Sequence, residues 1–179
     1  MSESKDDSII GGHFATNPPA SPLENPSRDH LDSPLWRYAC QVYSQQGVEA
    51  TLLKLQDDHG ADINLILQAL WLANEGRSWT KDCIPANYEK WMIEQVLPLR
   101  RVRRSMKTDW VGYEDFRQQV KKLELKAEQY ALAMLYLNTE GSATESAAEK
   151  VSLAGQNMRT LAEYLAIENT LLQDIVPYA

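Results

Sequence analysis

HGADINLILQALWLANEG, running from His59 to Gly76, is the stretch around which the rest of the chain has to be arranged. Ile63, Ile66, Leu67 and Leu70 share one stripe at helical spacing, and Leu65, Ala69 and Leu72 cover the other side. A helix that is apolar nearly all round is a buried one, so other elements must surround it. Its single polar line is Asn64, Gln68 and Glu75, with Trp71 among them. That narrow edge is free for solvent, a partner or a buried hydrogen-bond network. Asp62 is placed to cap the helix, and Gly60 supplies a left-handed residue to end the helix before it.

Towards the N-terminus, Asp32-Ser33-Pro34 offers a cap and a first-turn proline, so a helix is predicted from there to about Gln45, stopping before Gly47. Leu35, Tyr38, Ala39 and Val42 give it one apolar face. Val48, Leu52 and Leu55 mark a second helix that ends at Asp58 or His59. Two short connections then make the first three helices an antiparallel cluster. Residues 1–31 hold proline clusters such as NPPASPLENPS and few large apolar side chains. They cannot bury enough surface to offset their ordering entropy and are expected to be a disordered tail, IIGGHF (Ile9–Phe14) included.

Towards the C-terminus, a loop from Gly76 to Pro85 holds Trp79 and Cys83. A fourth helix is predicted from Pro85–Asn87 to about Lys107, with Tyr88, Trp91, Met92, Leu99, Val102 and Met106 on its apolar face. Pro98 inside that pattern predicts a kink or two helices in series. After a loop from Thr108 to Glu114 come Phe116, Val120, Leu123, Ala127, Tyr130, Met134 and Leu137 at alternating steps of four and three. Ala147, Val151, Ala154, Met158, Leu161 and Leu165 repeat the pattern, and the turn Asn138–Ser142 between them is short enough for an antiparallel hairpin. Both stripes are read as intramolecular core rather than as a dimerising coiled coil. The expectation is an all-α protein: a compact bundle of five to six helices, ending in a long antiparallel hairpin and a frayed terminus. A single domain is expected over 32–179.

The length of 179 residues suits one domain with one core. A net charge of −7 argues against wholesale coating of nucleic acid, although a local basic patch escapes that average. Two cysteines, Cys40 and Cys83, are too few for a disulfide framework or a thiolate metal site and fit a reducing, cytoplasmic setting. The acidic start MSESKDDSII lacks the character of a secretory signal, and no stretch is apolar for long enough to span a membrane.

Asp57, Asp58, His59 and Asp62 are the densest set of potential ligands. Asp58 and Asp62 lie four apart, as in the aspartate-rich motifs with which helical prenyl-transferring enzymes hold magnesium. Gly60 breaks the helix between them, however, and no second motif follows. The simpler reading is that His59 meets a helix C-terminus while Asp62 caps the next helix. His59, Asp62, Asn64 and Gln68 together remain a candidate polar site. Outside the expected tail His59 is the only histidine, and the chain has no glycine-rich phosphate loop, HExxH or paired CxxC. Neither a metal nor a cofactor is expected, and no catalytic residue stands out.

LRRVRRSMK, Leu99–Lys107, carries five positive charges and no acid. On a continuous helix Arg100, Arg103, Arg104 and Lys107 form one stripe roughly opposite Leu99, Val102 and Met106. Such a helix would dock by its apolar side and present a basic ridge suited to phosphates or carboxylates. Pairing with the chain's own acids is the competing expectation.

Three stretches carry a family resemblance: LWRYACQVYSQQGV (Leu35–Val48), LLKLQDDHGADINLILQALWLANEG (Leu52–Gly76) and VLPLRRVRRSMK (Val96–Lys107). In this order they resemble a bacterial family of unknown function, domain of unknown function 2390, seen mainly in gammaproteobacteria. The resemblance covers about a third of the chain and is loose after Phe116. It implies an intracellular helical domain and brings no activity, cofactor or catalytic residue. The function expected from the sequence is therefore a non-enzymatic interaction or adaptor protein whose basic ridge binds a protein or anionic partner. Nucleic-acid or ribosome binding is the alternative, and a metal-dependent enzyme at Asp58/Asp62 comes third. Oligomeric state is left open.

Overall fold

The computed structural model describes residues 26–139 and 150–178, and among these there is helix and no strand. The central stretch folds as foreseen. It forms α3 (Ile63–Asn74), capped by Asp62, whose Oδ1 accepts the backbone N–H of Asn64 at 2.9 Å and of Leu65 at 3.4 Å. All residues from Ile63 to Ala73 are buried. Before it, Ser33 caps α1 (Pro34–Tyr43), and α2 (Val48–His59) ends on Gly60 in the left-handed region.

Helical structure is already present one turn before Asp32. Arg28–Asp32 forms a 3-10 turn that buries Leu31, and Gln129 Nε2 donates to the Leu31 carbonyl at 2.7 Å. Residues 1–25, IIGGHF among them, lie outside the described residues.

The helix predicted across Pro98 is a series. A single turn, α4 (Tyr88–Trp91), leads into a π-turn (Met92–Val96) and then α5 (Leu97–Thr108), with Pro98 tolerated in the first turn of the new helix. After five residues comes α6 (Glu114–Thr139), twenty-six residues long. Then follow α7 (Lys150–Leu165), α8 (Asn169–Gln173) and a final 3-10 turn, Val176–Tyr178. The turn expected at Asn138–Ser142 extends outside the described residues, as does Ala147.

The core is built in layers on α3. α1, α2 and α6 pack on it, and its most extensive partner is α7, so α3 lies in contact with both halves of the chain. Ile66, Leu67, Leu70 and Leu72 meet Leu35, Leu52, Leu135, Met158 and Leu161 in one cluster. Each such side chain contributes about 1.5–3 kcal/mol by leaving water.

On the polar edge of α3 Asn64 and Gln68 face inward while Glu75 is exposed, and Gln68 ties the layers together. Gln68 Oε1 accepts Trp79 Nε1–H at 3.0 Å, and Gln68 Nε2 donates to the carbonyls of Cys83 and Leu135 at 3.0 and 3.4 Å. From α7, Asn157 Oδ1 accepts Trp79 N–H at 2.8 Å, while its Nδ2 donates to the carbonyls of Ala69 and Arg77, both at 3.0 Å. The loop expected after Gly76 is thereby stitched into the core, with Trp79 buried.

Candidate interaction surface

α5 and α6 form an antiparallel arm, and the charges between them define its geometry. Glu124, its side chain only 6% exposed, accepts from Arg100 Nε at 3.3 Å and from Arg103 Nη2 at 3.0 Å. Glu128 accepts from Arg100 Nη2. Arg104 pairs with Asp57 on α2, joining the arm to the body. Low residue numbers on α5 thus meet high ones on α6.

The four residues of the expected ridge are divided by these pairs. Arg100 and Arg103 are 14% and 23% exposed and point at α6, whereas Val102, placed on the buried face from sequence, is exposed. The helical wheel of α5 explains this: Met106 is buried and Leu99 packs against the core as expected, and Arg103 lies only about 40° round from Leu99 and about 60° from Met106. Arg100 and Arg103 thus share the seam with Leu99 and Met106, and Val102, on the far side of Leu99, is left outside it. Burial works against the Arg100 charge, but Glu128 and Glu124 more than offset it and hold its pKa above the ordinary value. Glu124 does the same for Arg103. Burial raises the Glu128 carboxyl in spite of Arg100, and Arg104 lowers Asp57. Of the four predicted binding residues, Arg104 is half-exposed in its pair and Lys107 is exposed; the other two hold the arm together.

The polar-site residues are not gathered into one centre. His59 is exposed in the last turn of α2, and Asn64 is buried with Nδ2 against Met92 Sδ at 3.8 Å. Gln68 is committed to the core contacts above. Asp62 is half-buried, with Oδ2 accepting the Tyr88 hydroxyl at 2.9 Å. Desolvation raises its pKa against the pull of that hydrogen bond and of the capped N–H groups. Both oxygens accept hydrogen bonds, and Asp58 is exposed in the last turn of α2, before Gly60. Among the described residues, no three histidine, cysteine or carboxylate side chains are placed to share a metal ion. A cleft of ≈ 370 Å³ opens beside Tyr88, lined by Asp62, Lys81, Met92, Ile93, Leu97 and Tyr164 among others.

What the sequence reading missed is the bare side of the arm. Phe116 and Leu123, expected in the core, are 56% and 59% exposed, and in the connection Trp110, Val111 and Tyr113 are 58%, 83% and 60% exposed. Trp110 and Tyr113 meet edge to face, their centroids 6.2 Å apart. Only the C-terminal half of the α6 stripe has a full set of partners, with Ala127, Ala131, Met134 and Leu135 buried. One signal was present: the first half of α6 carries Lys121, Lys122 and Lys126 around Leu123, an unusually polar setting for a core stripe.

The fold and this surface define an all-helical protein with a cationic, amphipathic arm, in which no helix among the described residues is long and apolar enough to cross a membrane. The model of the family described as protein of unknown function (DUF2390) matches residues 34–135, and the chain belongs to that family. No curated protein and no solved structure matches it. The matched region runs from α1 into the buried half of α6, so α5, most of α6 and the ion pairs of the arm lie inside it.

Proposed function

We propose that the protein is a non-enzymatic interaction module that uses the α5–α6 arm to dock on a protein surface presenting carboxylates around apolar side chains. One observation carries this reading: an exposed aromatic and aliphatic strip lies on a segment, residues 97–126, with nine cations and four acids in a chain whose net charge is −7. Apolar patches edged by polar residues mark protein contacts, and exposed Trp, Tyr and Phe are the side chains that dominate them. The commitment of Asp62, Gln68 and Asn157 to structural hydrogen bonds favours binding over catalysis. Arg101, Lys107, Lys121, Lys122 and Lys126 are exposed on the same arm, the last of them donating to Gln129 Oε1 at 3.0 Å and lying over the Tyr130 ring.

The test is fluorescence anisotropy with a labelled peptide rich in Asp, Glu, Leu and Trp, and with a single-stranded RNA, each at about 50 and about 200 mM salt. Micromolar peptide binding is expected, weakened about tenfold or more in Phe116→Ser and in Lys121→Glu/Lys122→Glu. RNA binding that falls by orders of magnitude over that salt range would move the assignment to nucleic acid. Peptide affinity unchanged in both variants would overturn the arm as the docking surface.

A further inference from the structure

The side of the arm that is left bare is continuous. Draw the contact line between α5 and α6 through Arg103 and Glu124, whose ion pair marks it. Val102 lies one residue before Arg103 and Leu123 one before Glu124, so both sit about 100° to the same hand of that line. Phe116, eight residues before Glu124, falls about 80° to that hand. In an antiparallel pair equal rotations of this kind emerge on one face. The other hand carries Arg104 against Asp57 and Gln129 against Leu31, with Leu125 half-exposed beside them. The strip formed by Val102, Phe116 and Leu123, ending in Trp110, Val111 and Tyr113, therefore faces away from α1 and α2.

From this geometry we propose that the strip is the contact face for a second copy of the chain, the two α6 helices crossing antiparallel near Gln119. The inference rests on reading the arm as a docking surface, but gives the apolar strip to a second copy and leaves the acidic partner to the cations outside it. Three rings and three aliphatic side chains at these exposures bare roughly 600 Å² of apolar surface, at the upper end of what monomers leave open. Two copies cover about 1,200 Å² before any polar rim is counted, which reaches the size of a specific interface.

Charge selects the pairing. Asp115 and Lys122 are both exposed, seven residues apart on the outer edge of the strip, and neither makes an ion pair among the described residues. Acid precedes base along α6, so a parallel pairing in register would oppose like charges. The antiparallel one sets Asp115 of each copy beside Lys122 of the other, and Phe116 beside Leu123. A two-fold contact of this kind is self-complementary and closed. It leaves Arg101 and Lys107 of both copies outside the contact strip.

Light scattering on the full chain across the micromolar range tests this. A mass of twice 20.3 kDa is expected at the upper end, moving to the single mass on dilution. Leu123→Glu, at an exposed position that should not disturb folding, is expected to weaken association about tenfold or more. Leu125→Glu, on the opposite flank of α6, is expected to leave it unchanged. Asp115→Lys and Lys122→Asp should each weaken association, and the double swap Asp115→Lys/Lys122→Asp should restore it, because only a two-fold contact joins these positions to each other. A single mass throughout, or a dimer indifferent to Leu123→Glu, would overturn the second copy as occupant. Peptide binding by a protein that remains single would leave the docking reading standing, whereas a dimer that ignores the peptide would remove the acidic partner and keep the self-contact.

Discussion

At the scale of single residues, local backbone geometry sets what a side chain can do. α7 ends with Ala166 at a φ of 54°, the left-handed region, and the N–H of Ile167 reaches back to the carbonyl of Ala162 at 3.1 Å. A residue with a Cβ loses about 1–2 kcal/mol in that conformation, while glycine adopts it freely. Part of the gain from glycine is returned as extra entropy in the unfolded chain, about 0.5–1 kcal/mol. Ala166→Gly is therefore expected to stabilise the protein by about 0.5–1 kcal/mol, read as a Tm higher by about 2 °C. A lower Tm would mean that the methyl group makes a contribution larger than the strain. The same physics made α2 and α3 readable from sequence: Gly60 ends one helix and Asp62 starts the next, and both are local signals that no distant contact overrides. Asp62 caps α3 through Oδ1, as its position before the helix predicts, and its Oδ2 accepts the Tyr88 hydroxyl.

At the scale of elements, the order and bounds of α1, α2 and α3 followed from caps and periodicity, whereas the face of α5 did not. Leu99 and Met106 turned inward as their spacing predicts, but Arg103, about 40° round the wheel from Leu99, went with them and Val102 did not, because the acids that receive the arginines lie on another helix. The seam partners Glu124 and Glu128 were equally hidden, because they sit on a helix 24 and 28 positions from Arg100 and read as solvated acids. Their consequence is measurable. Glu128 has its pKa raised above its ordinary 4.5, chiefly by burial, with Arg100 pulling the other way. The folded state thus holds this proton more tightly than the unfolded chain. Between 4.5 and the folded value, stability contributed by this group falls as pH rises, and the cost of the ionised form is fully present above that window. Glu128→Gln removes the titration. The Tm of the variant minus that of the parent chain is expected to become more positive from pH 4.5 to neutrality, followed by circular dichroism melts. A difference that becomes more negative would show that Arg100 outweighs the burial.

At the scale of the molecule, buried surface is distributed unevenly. α3 is buried along almost its whole length and α7 packs along it, while α5 buries only Met106 and the first half of α6 buries Val120 and Glu124. Hydrophobic burial grips the body, and ion pairs with a thin apolar seam grip the arm. Opening free energy follows local burial, so the two regions should separate in hydrogen exchange. Amides of α3 are expected to exchange only through global unfolding. Those from Leu97 to Lys126 should exchange faster by orders of magnitude in dilute protein, and the gap should narrow as concentration rises if two copies cover the strip. High salt should widen it slightly, because the Arg104–Asp57 pair is half-exposed and screened, while the Arg103–Glu124 pair is largely shielded. Protection in α5 equal to that of α3 in dilute protein would place the arm inside the cooperative core. An arm held so lightly could not then be the part of the molecule that yields to a partner, and the exposed strip would be a rigid face rather than an adjustable one.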